Sequence, residues 1–216
     1  MIIDVLCPNQ EHPVNAWLEN WVTIQNNEND VALLSDISQL RGGKILFLVS
    51  CNQVVGSKIR SKYEHVMVLH ASALPIGRGW SPHIWAIIDG AAKITVTLLV
   101  AEDKVDTGAI WAHRLVNISQ SALYDEINSA IFSAETELMT EGVGMVIAGK
   151  IPVPQEDTEA TYYRQRTPAD SMLDPEKSLI SLFNQMRVAD PDRYPAYFQL
   201  HGETYTISIK KKKSDA

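Results

Sequence analysis

Apolar positions along the chain alternate between short continuous runs and helical stripes, separated by polar connections. Met1–Cys7 is an apolar run interrupted only by Asp4, and its length and β-branched content predict a buried first strand. Val14–Ile24 places Trp17, Leu18, Trp21 and Val22 on one stripe at helical spacing, so both tryptophans are read as core packing. Asp30–Asp36 and Lys44–Ser50 predict two more strands, with Arg41-Gly42-Gly43 as the turn between them. Ser50-Cys51-Asn52-Gln53 closes the second of these and opens a predicted helix through Tyr63, for which Ser50 or Asn52 is a natural cap. The apolar run His65–Leu69 reads as a buried strand that ends on His70 and falls into the Ser-, Pro- and Gly-marked loop Ala71–Gly79. Ser81 and Pro82 suit the cap and first position of a helix through Asp89, whose Ile84, Trp85, Ile87 and Ile88 would pack on a sheet.

Strands follow at Ile94–Val100 and Ala109–Trp111, then a long helical pattern from Ser119 to Gly142 and a short one at Val143–Ala148. The Pro-rich, acidic run from Gly149 to Glu159 is the best linker. Beyond it, Asp174–Arg187 predicts a helix, and Ala196–Leu200 with Glu203–Lys210 around His201-Gly202 predicts a hairpin. Alternating strands and helices imply an α/β body over 1–150 and a small α+β appendage over 151–216.

Composition narrows the function. The chain has 216 residues and a formal charge of −7, with a pI near 5.3. That length allows one sizeable core and a small addition, and an acidic surface is unsuited to a phosphate backbone, so no nucleic-acid partner is expected. The Lys210–Lys213 run on such a chain reads as a solvated tail. No apolar run approaches bilayer length, and Met1–Leu6 has neither a basic leader nor a cleavage site, so no membrane partner and a cytoplasmic location are expected. Cys7 and Cys51 form no disulfide framework or metal motif and read as buried free thiols.

In open α/β sheets ligands gather beyond the carboxyl ends of the strands, which makes His70 a stronger catalytic candidate than a mid-strand histidine. Val105-Asp106-Thr107-Gly108 follows another apolar strand, so two strand-end loops could join His70 and Asp106 as an acid–base pair. His65 lies five positions before His70 and faces the other side of a regular strand. His83 falls in a first helical turn, where an exposed or capping role is expected, and His12, His113 and His201 have no partner at ligand spacing, so no metal is predicted. No Gly-rich phosphate cradle follows the first strand.

The pattern His-x-Ser-x-Leu-Pro-x-x-Arg-Gly over His70–Gly79, then Ser-Pro-His-Ile-Trp-Ala-Ile over Ser81–Ile87, then Asp106-Thr107-Gly108, resembles the folate-dependent formyltransferases. The 36 positions between His70 and Asp106 fit that family's layout. The resemblance implies a Rossmann-like, mostly parallel sheet flanked by helices, and transfer of a formyl group from 10-formyltetrahydrofolate to an amine. It assigns His70 and Asp106 to catalysis and places Ser50, Cys51, Leu74, Pro75, Arg78, Gly79 and Val105 around the folate cleft. The segment Tyr162–Asp170 resembles a motif of the sugar N-formyltransferases and makes Arg164 and Arg166 candidates for substrate contact, set against an equal reading as a salt-bridged linker. The C-terminal hairpin of that group often carries dimer contacts, so a homodimer is expected.

Elimination narrows the acceptor. The missing phosphate loop argues against glycinamide ribonucleotide, and the roughly sixty C-terminal residues are too few for the larger domain of methionyl-tRNA formyltransferases. A nucleotide-linked amino sugar remains. Hydrolysis of 10-formyltetrahydrofolate is an alternative, although such hydrolases usually add an N-terminal regulatory domain that this chain is expected to lack; an impaired folate- or sugar-binding homologue is another. One departure bears on all three: the position two before His70, where the family has Asn, is Val68. Loss of one donor to a developing oxyanion typically costs about 10²–10³ in rate. Asn52, at a neighbouring strand end, is the candidate replacement.

Overall fold

The computed structural model describes residues 1–156 and 159–212. Six strands form one mixed sheet in the order β2-β1-β3-β4-β6-β7. They are β1 (Ile2–Leu6), β2 (Asp30–Leu34), β3 (Gly43–Leu48), β4 (Tyr63–His70), β6 (Lys93–Val100) and β7 (Ile110–Asn117). The first four run parallel, with Val5 beside Leu33 and Phe47, and Phe47 beside Met67. β6 and β7 are antiparallel additions, β6 pairing with β4 so that His70 lies opposite Thr97. A two-residue pair outside this sheet, β5 (Arg78–Gly79) with β8 (Tyr162–Tyr163), ties the loop after β4 to the C-terminal segment. The expected α/β, mostly parallel architecture is therefore present.

Alternation along the parallel strands produces two cores. Ile3, Val5, Ile45, Phe47, Met67 and Leu69 face α1 (Asn15–Gln25), α3 (Pro82–Ile88) and α4 (Tyr124–Ile147) in the larger one. Leu6, Leu46, Leu48 and Val66 face Leu40, Val55 and Tyr63 in the smaller one. This second face is covered chiefly by turns and by the single-turn α2 (Ser57–Arg60). The predicted helix through Tyr63 is thus a correction. Val54, Val55 and Gly56 disfavour helix, Gly56 and not Ser50 or Asn52 stands at the cap, and Tyr63 starts β4.

The two helices expected between Ser119 and Ala148 are one, of 24 residues. Gly142 does not break it, because a Cβ there would sit 2.7 Å from the Leu98 side chain, and glycine lets the helix lie against the sheet. β7 extends to Asn117, well past the expected Trp111. The last helix, α5 (Leu179–Arg187), starts five residues later than expected, after a Pro175-containing turn, with Ser178 accepting at its cap from the Ser181 amide. The hairpin β9 (Ala196–Leu200) and β10 (Glu203–Ile207) packs with α5 on a small core of Leu173, Leu182, Met186, Ala189 and Ala196. Arg187, 2 % exposed, joins this unit to the body by donating to the carbonyls of Ser119 and Ala122. Part of the linker and of the lysine tail lies outside the described residues.

Asp4 interrupts the first apolar run because it is completely buried and fully engaged. It accepts from the Arg41 amide at 2.9 Å, Arg41 Nε at 2.8 Å and the Tyr63 hydroxyl at 2.5 Å. Together they hold the turn before β3 against the start of β4. Tyr63→Phe should cost about 1–3 kcal/mol by leaving a buried carboxylate one donor short, read as a lower urea midpoint at unchanged slope; a loss below 0.5 kcal/mol would mean the turn is held otherwise.

Candidate active site

The carboxyl ends of the parallel strands β1, β3 and β4 share one edge of the sheet, where open α/β sheets form their ligand crevice, and β4 delivers His70 there. The imidazole is 7 % exposed. Its Nε2 lies 2.9 Å from the Gly77 carbonyl and its Nδ1 3.5 Å from Asp106 Oδ1. The two strand-end loops therefore bring His70 and Asp106 together as their positions required. Asp106 sits at φ +59°, in the left-handed region that suits few side chains. Three groups hold it there. Arg78 Nε and Gln155 Nε2 each donate to its carbonyl at 3.0 Å, and the Gly79 amide donates to Oδ2 at 2.9 Å.

Arg78 differs from its expected role. Its guanidinium is 1 % exposed and faces protein: besides Asp106 it donates to Gln155 Oε1 at 2.8 Å and to the Tyr162 hydroxyl at 3.1 Å. It positions the Asp106 loop and does not offer an open fork to a ligand. Gly79, at φ +97°, must be glycine, since a Cβ would lie 2.3 Å from the Tyr163 carbonyl across the β5–β8 pair. A recess of about 410 Å³ opens beside this loop, lined by Glu102, Asp103, Lys104, Thr107, Pro154 and Gln155 among others.

The remaining expected residues divide. Leu74 and Pro75 are half-buried in the loop after His70, and Val105 is 60 % exposed beside Asp106. Ser50 is exposed at φ +46°, while the half-buried Cys51 directs its sulfur to the Gln53 carbonyl at 3.4 Å. Val68 pairs with Leu48 and Leu99 and packs with the smaller core, so that position supplies no donor. Asn52 is exposed, and among the described residues no hydrogen bond joins it to His70 or Asp106. Arg164 is bound to Asp170 through both guanidinium nitrogens and stacks 4.8 Å over Trp85, which holds the Asp170 carboxyl far below the usual carboxylate range. That is the linker arrangement. Arg166 is different: its Nε is buried without a partner, and burial lowers its pKa.

Two groups escaped the sequence reading. His83, expected at the surface or as a cap, has a buried, unpartnered Nδ1. Its pKa is lowered to about 4, first by burial and then by the nearby His70, His12 and Arg166 charges. Glu135, on the inner face of α4, is 7 % exposed, with Oε2 buried and unpartnered. Burial pushes its carboxyl up to about 8. Glu135 was legible as a charge one position past Ala134 on a face that is otherwise apolar save for Asn128. His12 packs on Phe132, its pKa also lowered to about 4, chiefly by burial. Cys7 is pushed up to about 11 by burial and by Cys51, so its thiol is no nucleophile at neutral pH.

These buried groups shape the stability curve. His12 and His83 fold without the proton that the unfolded chain takes up near 6.5, so stability falls as pH drops from about 6.5 to about 4. Glu135 keeps a proton that the unfolded chain releases near 4.5, so its contribution falls as pH rises from about 4.5 to about 8 and is level above that. The stability advantage of Glu135→Gln over wild type should therefore widen with pH across that window in thermal melts; a pH-independent difference would place the carboxyl in water.

A family model described as formyl transferase matches residues 7–143. The fold is shared with a methionyl-tRNA formyltransferase from Clostridium thermocellum at TM-score 0.79 and 18% identity, over 100% of this chain and 94% of that one. A 4-N formyltransferase from Francisella tularensis superposes at 0.77 and 18% identity, over 98% of each chain. HypX from Aquifex aeolicus in complex with tetrahydrofolic acid superposes at 0.81 and 18% identity, over 96% of this chain and 37% of that one. The near-complete cover of the first of these removes chain size as an argument against a tRNA acceptor. Among the described residues no helix is long and apolar enough to cross a membrane, and no group of three or more metal-ligating side chains occurs. With more than half of its length matched by that model, and with the strand-end crevice and mixed sheet in place, the chain belongs to the formyl transferase family.

Proposed function

We propose that this protein moves a formyl group from 10-formyltetrahydrofolate to the amino group of a nucleotide-linked amino sugar. The observation that carries the reading is the His70–Asp106 pair, buried at the crevice edge and held by Arg78, Gln155 and Gly79. Formyl transfer between nitrogens passes through a tetrahedral carbon bearing an oxyanion, which must meet donors placed where its charge develops. His70 becomes that donor when its Nε2, which meets the Gly77 carbonyl in the ligand-free protein, turns to the formyl oxygen. Asp106, at Nδ1, the ring nitrogen not in contact with the Gly77 carbonyl, orients the imidazole. The proton of the attacking amine leaves through this same pair.

The walls divide the two substrates. Leu74, Pro75, Gly79 and Val105, with Ser50 and Cys51 across the crevice, border the donor, and Arg78 fixes the loop they share with Asp106. The acceptor lies toward α3 and the C-terminal segment. There Trp85 stacks on Tyr163, and the Arg166 guanidinium stands 5.9 Å from the Trp85 ring. A cation beside an aromatic face suits the anionic linkage of a nucleotide sugar. Val68 leaves the formyl oxygen one side-chain donor short, and the exposed Asn52 amide in the loop after β3 is the candidate to replace it.

The test combines purified protein, 10-formyltetrahydrofolate and a panel of nucleotide-linked 3-amino and 4-amino sugars, following tetrahydrofolate release and acceptor mass. Gain of one formyl group by one sugar is the expected result. Release without an acceptor would make the protein a hydrolase, and folate binding without release would make it a binding homologue. His70→Ala and Asp106→Asn should each lower the rate by at least about 10²-fold with an unchanged melting temperature; near-native activity in either would remove that residue from the mechanism.

A further inference from the structure

Five buried side-chain polar atoms lack a hydrogen-bond partner among the described residues, and four lie at one end of the sheet: Ser72 Oγ, His83 Nδ1, Glu135 Oε2 and Arg166 Nε. Folded proteins rarely leave such atoms unpaired, because each costs its full desolvation. Ser72 is two residues past His70, His83 is within reach of the His70 charge, and Arg166 is within reach of His83.

Glu135 belongs to the same place for a geometric reason. β7 runs parallel to β4, so α4, which follows it, starts at the crevice end and descends along the sheet. Gly142 is already at mid-sheet, over Met67, Phe47 and Leu98. Glu135 lies seven residues back, roughly 10 Å higher at 1.5 Å per residue. That is the level of the strand ends. Consistently, Phe132 one turn earlier touches His12 in the loop after β1, and the Glu135 charge is felt at Cys7, the first residue past β1.

We propose that Glu135 recognises the acceptor, receiving a hydrogen bond from a hydroxyl of the sugar ring at the floor of the crevice; this rests on the amino-sugar reading above. Among the described residues nothing meets Oε2 of this buried carboxyl, and a ligand donor would. The donor is a hydroxyl and not the reacting amine, because a carboxylate beside that amine would hold it as an ammonium ion with no lone pair for attack. Ser72 and His83 supply further sites for the same polar ring, and Arg166 faces its anionic linkage. Glu135 is thus a specificity-determining residue, set apart from the His70–Asp106 chemistry.

The experiment compares wild type, Glu135→Gln and Glu135→Leu by calorimetry against dTDP- and UDP-linked 3-amino and 4-amino sugars, with 5-formyltetrahydrofolate as the donor-site control. Wild type should bind at least one sugar. Glu135→Leu should weaken it about 10- to 100-fold, the cost of leaving a buried sugar hydroxyl without its acceptor, and Glu135→Gln, whose amide oxygen can still accept, should weaken it less. Folate affinity should stay within about twofold in both, and ligand-free Glu135→Leu should melt at or above wild type. Unchanged sugar affinity in Glu135→Leu overturns the assignment while leaving formyl transfer to that sugar intact. Melting well below wild type with folate binding also lost overturns it by making Glu135 a structural prop. Sugar binding that depends on Glu135 without formyl transfer upholds the assignment and sinks the transferase reading, and no binding to any of these sugars overturns both.

Discussion

The candidate site depends on one buried cation. Arg78 reaches the Asp106 carbonyl, Gln155 and the Tyr162 hydroxyl from the centre of the molecule, and so joins three segments that are far apart in sequence. A buried guanidinium is tolerated only where its donors are met in a fixed geometry. Here those acceptors belong to the loop carrying Asp106 and to the segment entering the C-terminal unit. The left-handed backbone at Asp106 is disfavoured by itself, and this clamp over-determines it. Because Arg78 is also a β5 residue paired with Tyr162, the loop after His70 and the loop holding Asp106 are fastened to the same strand. The pair is positioned by pairing and burial together.

Elsewhere the chain treats its buried charges in two ways. Asp4 and Arg187 are met by donors or acceptors within hydrogen-bond range, and each fastens two parts of the fold. Glu135 and His83 keep an unmet atom and shift toward their neutral forms. The first kind is structural, since removing a partner would expose a cost that the fold currently avoids. The second lowers stability and returns nothing to the ligand-free protein. Sites that locally break the rules of polar satisfaction are where function is expected to reside.

Much of this was legible in the sequence because it rests on local periodicity and loop chemistry. Six strands, the stripe of α1 and the His70–Asp106 pairing follow from apolar runs that end in Gly-, Pro- and Asp-marked turns. What was missed rests on contacts between distant residues. Glycine at 142 looks like a helix stop until Leu98 and Met67 are seen pressing on it. Arginine at 78 reads as a ligand fork until Gln155 and Tyr162 arrive from the far end of the chain. His83 occupies a solvent-facing position by helical spacing, yet its Nδ1 is enclosed in the tertiary fold. The helix expected after Ser50 failed for a local reason, the Val-Val-Gly run, which should have outweighed a possible cap.

Val68 draws these points together. Its neighbours Leu48 and Leu99 are apolar and its face belongs to the smaller core, so a polar amide there would need its own partners in that core. On the proposed reading the histidine and the carboxylate act together, held by the clamp around Asp106, and position 68 adds no third polar group. Under that proposal the pair would supply proton management and one oxyanion donor. It depends correspondingly more on holding the two substrates in place, because orientation alone can supply several kcal/mol of a barrier. Four unmet polar atoms near that end of the sheet would suit the proposed dependence: what the site lacks in stabilising charge at the reacting carbon it would recover by gripping the rest of the acceptor.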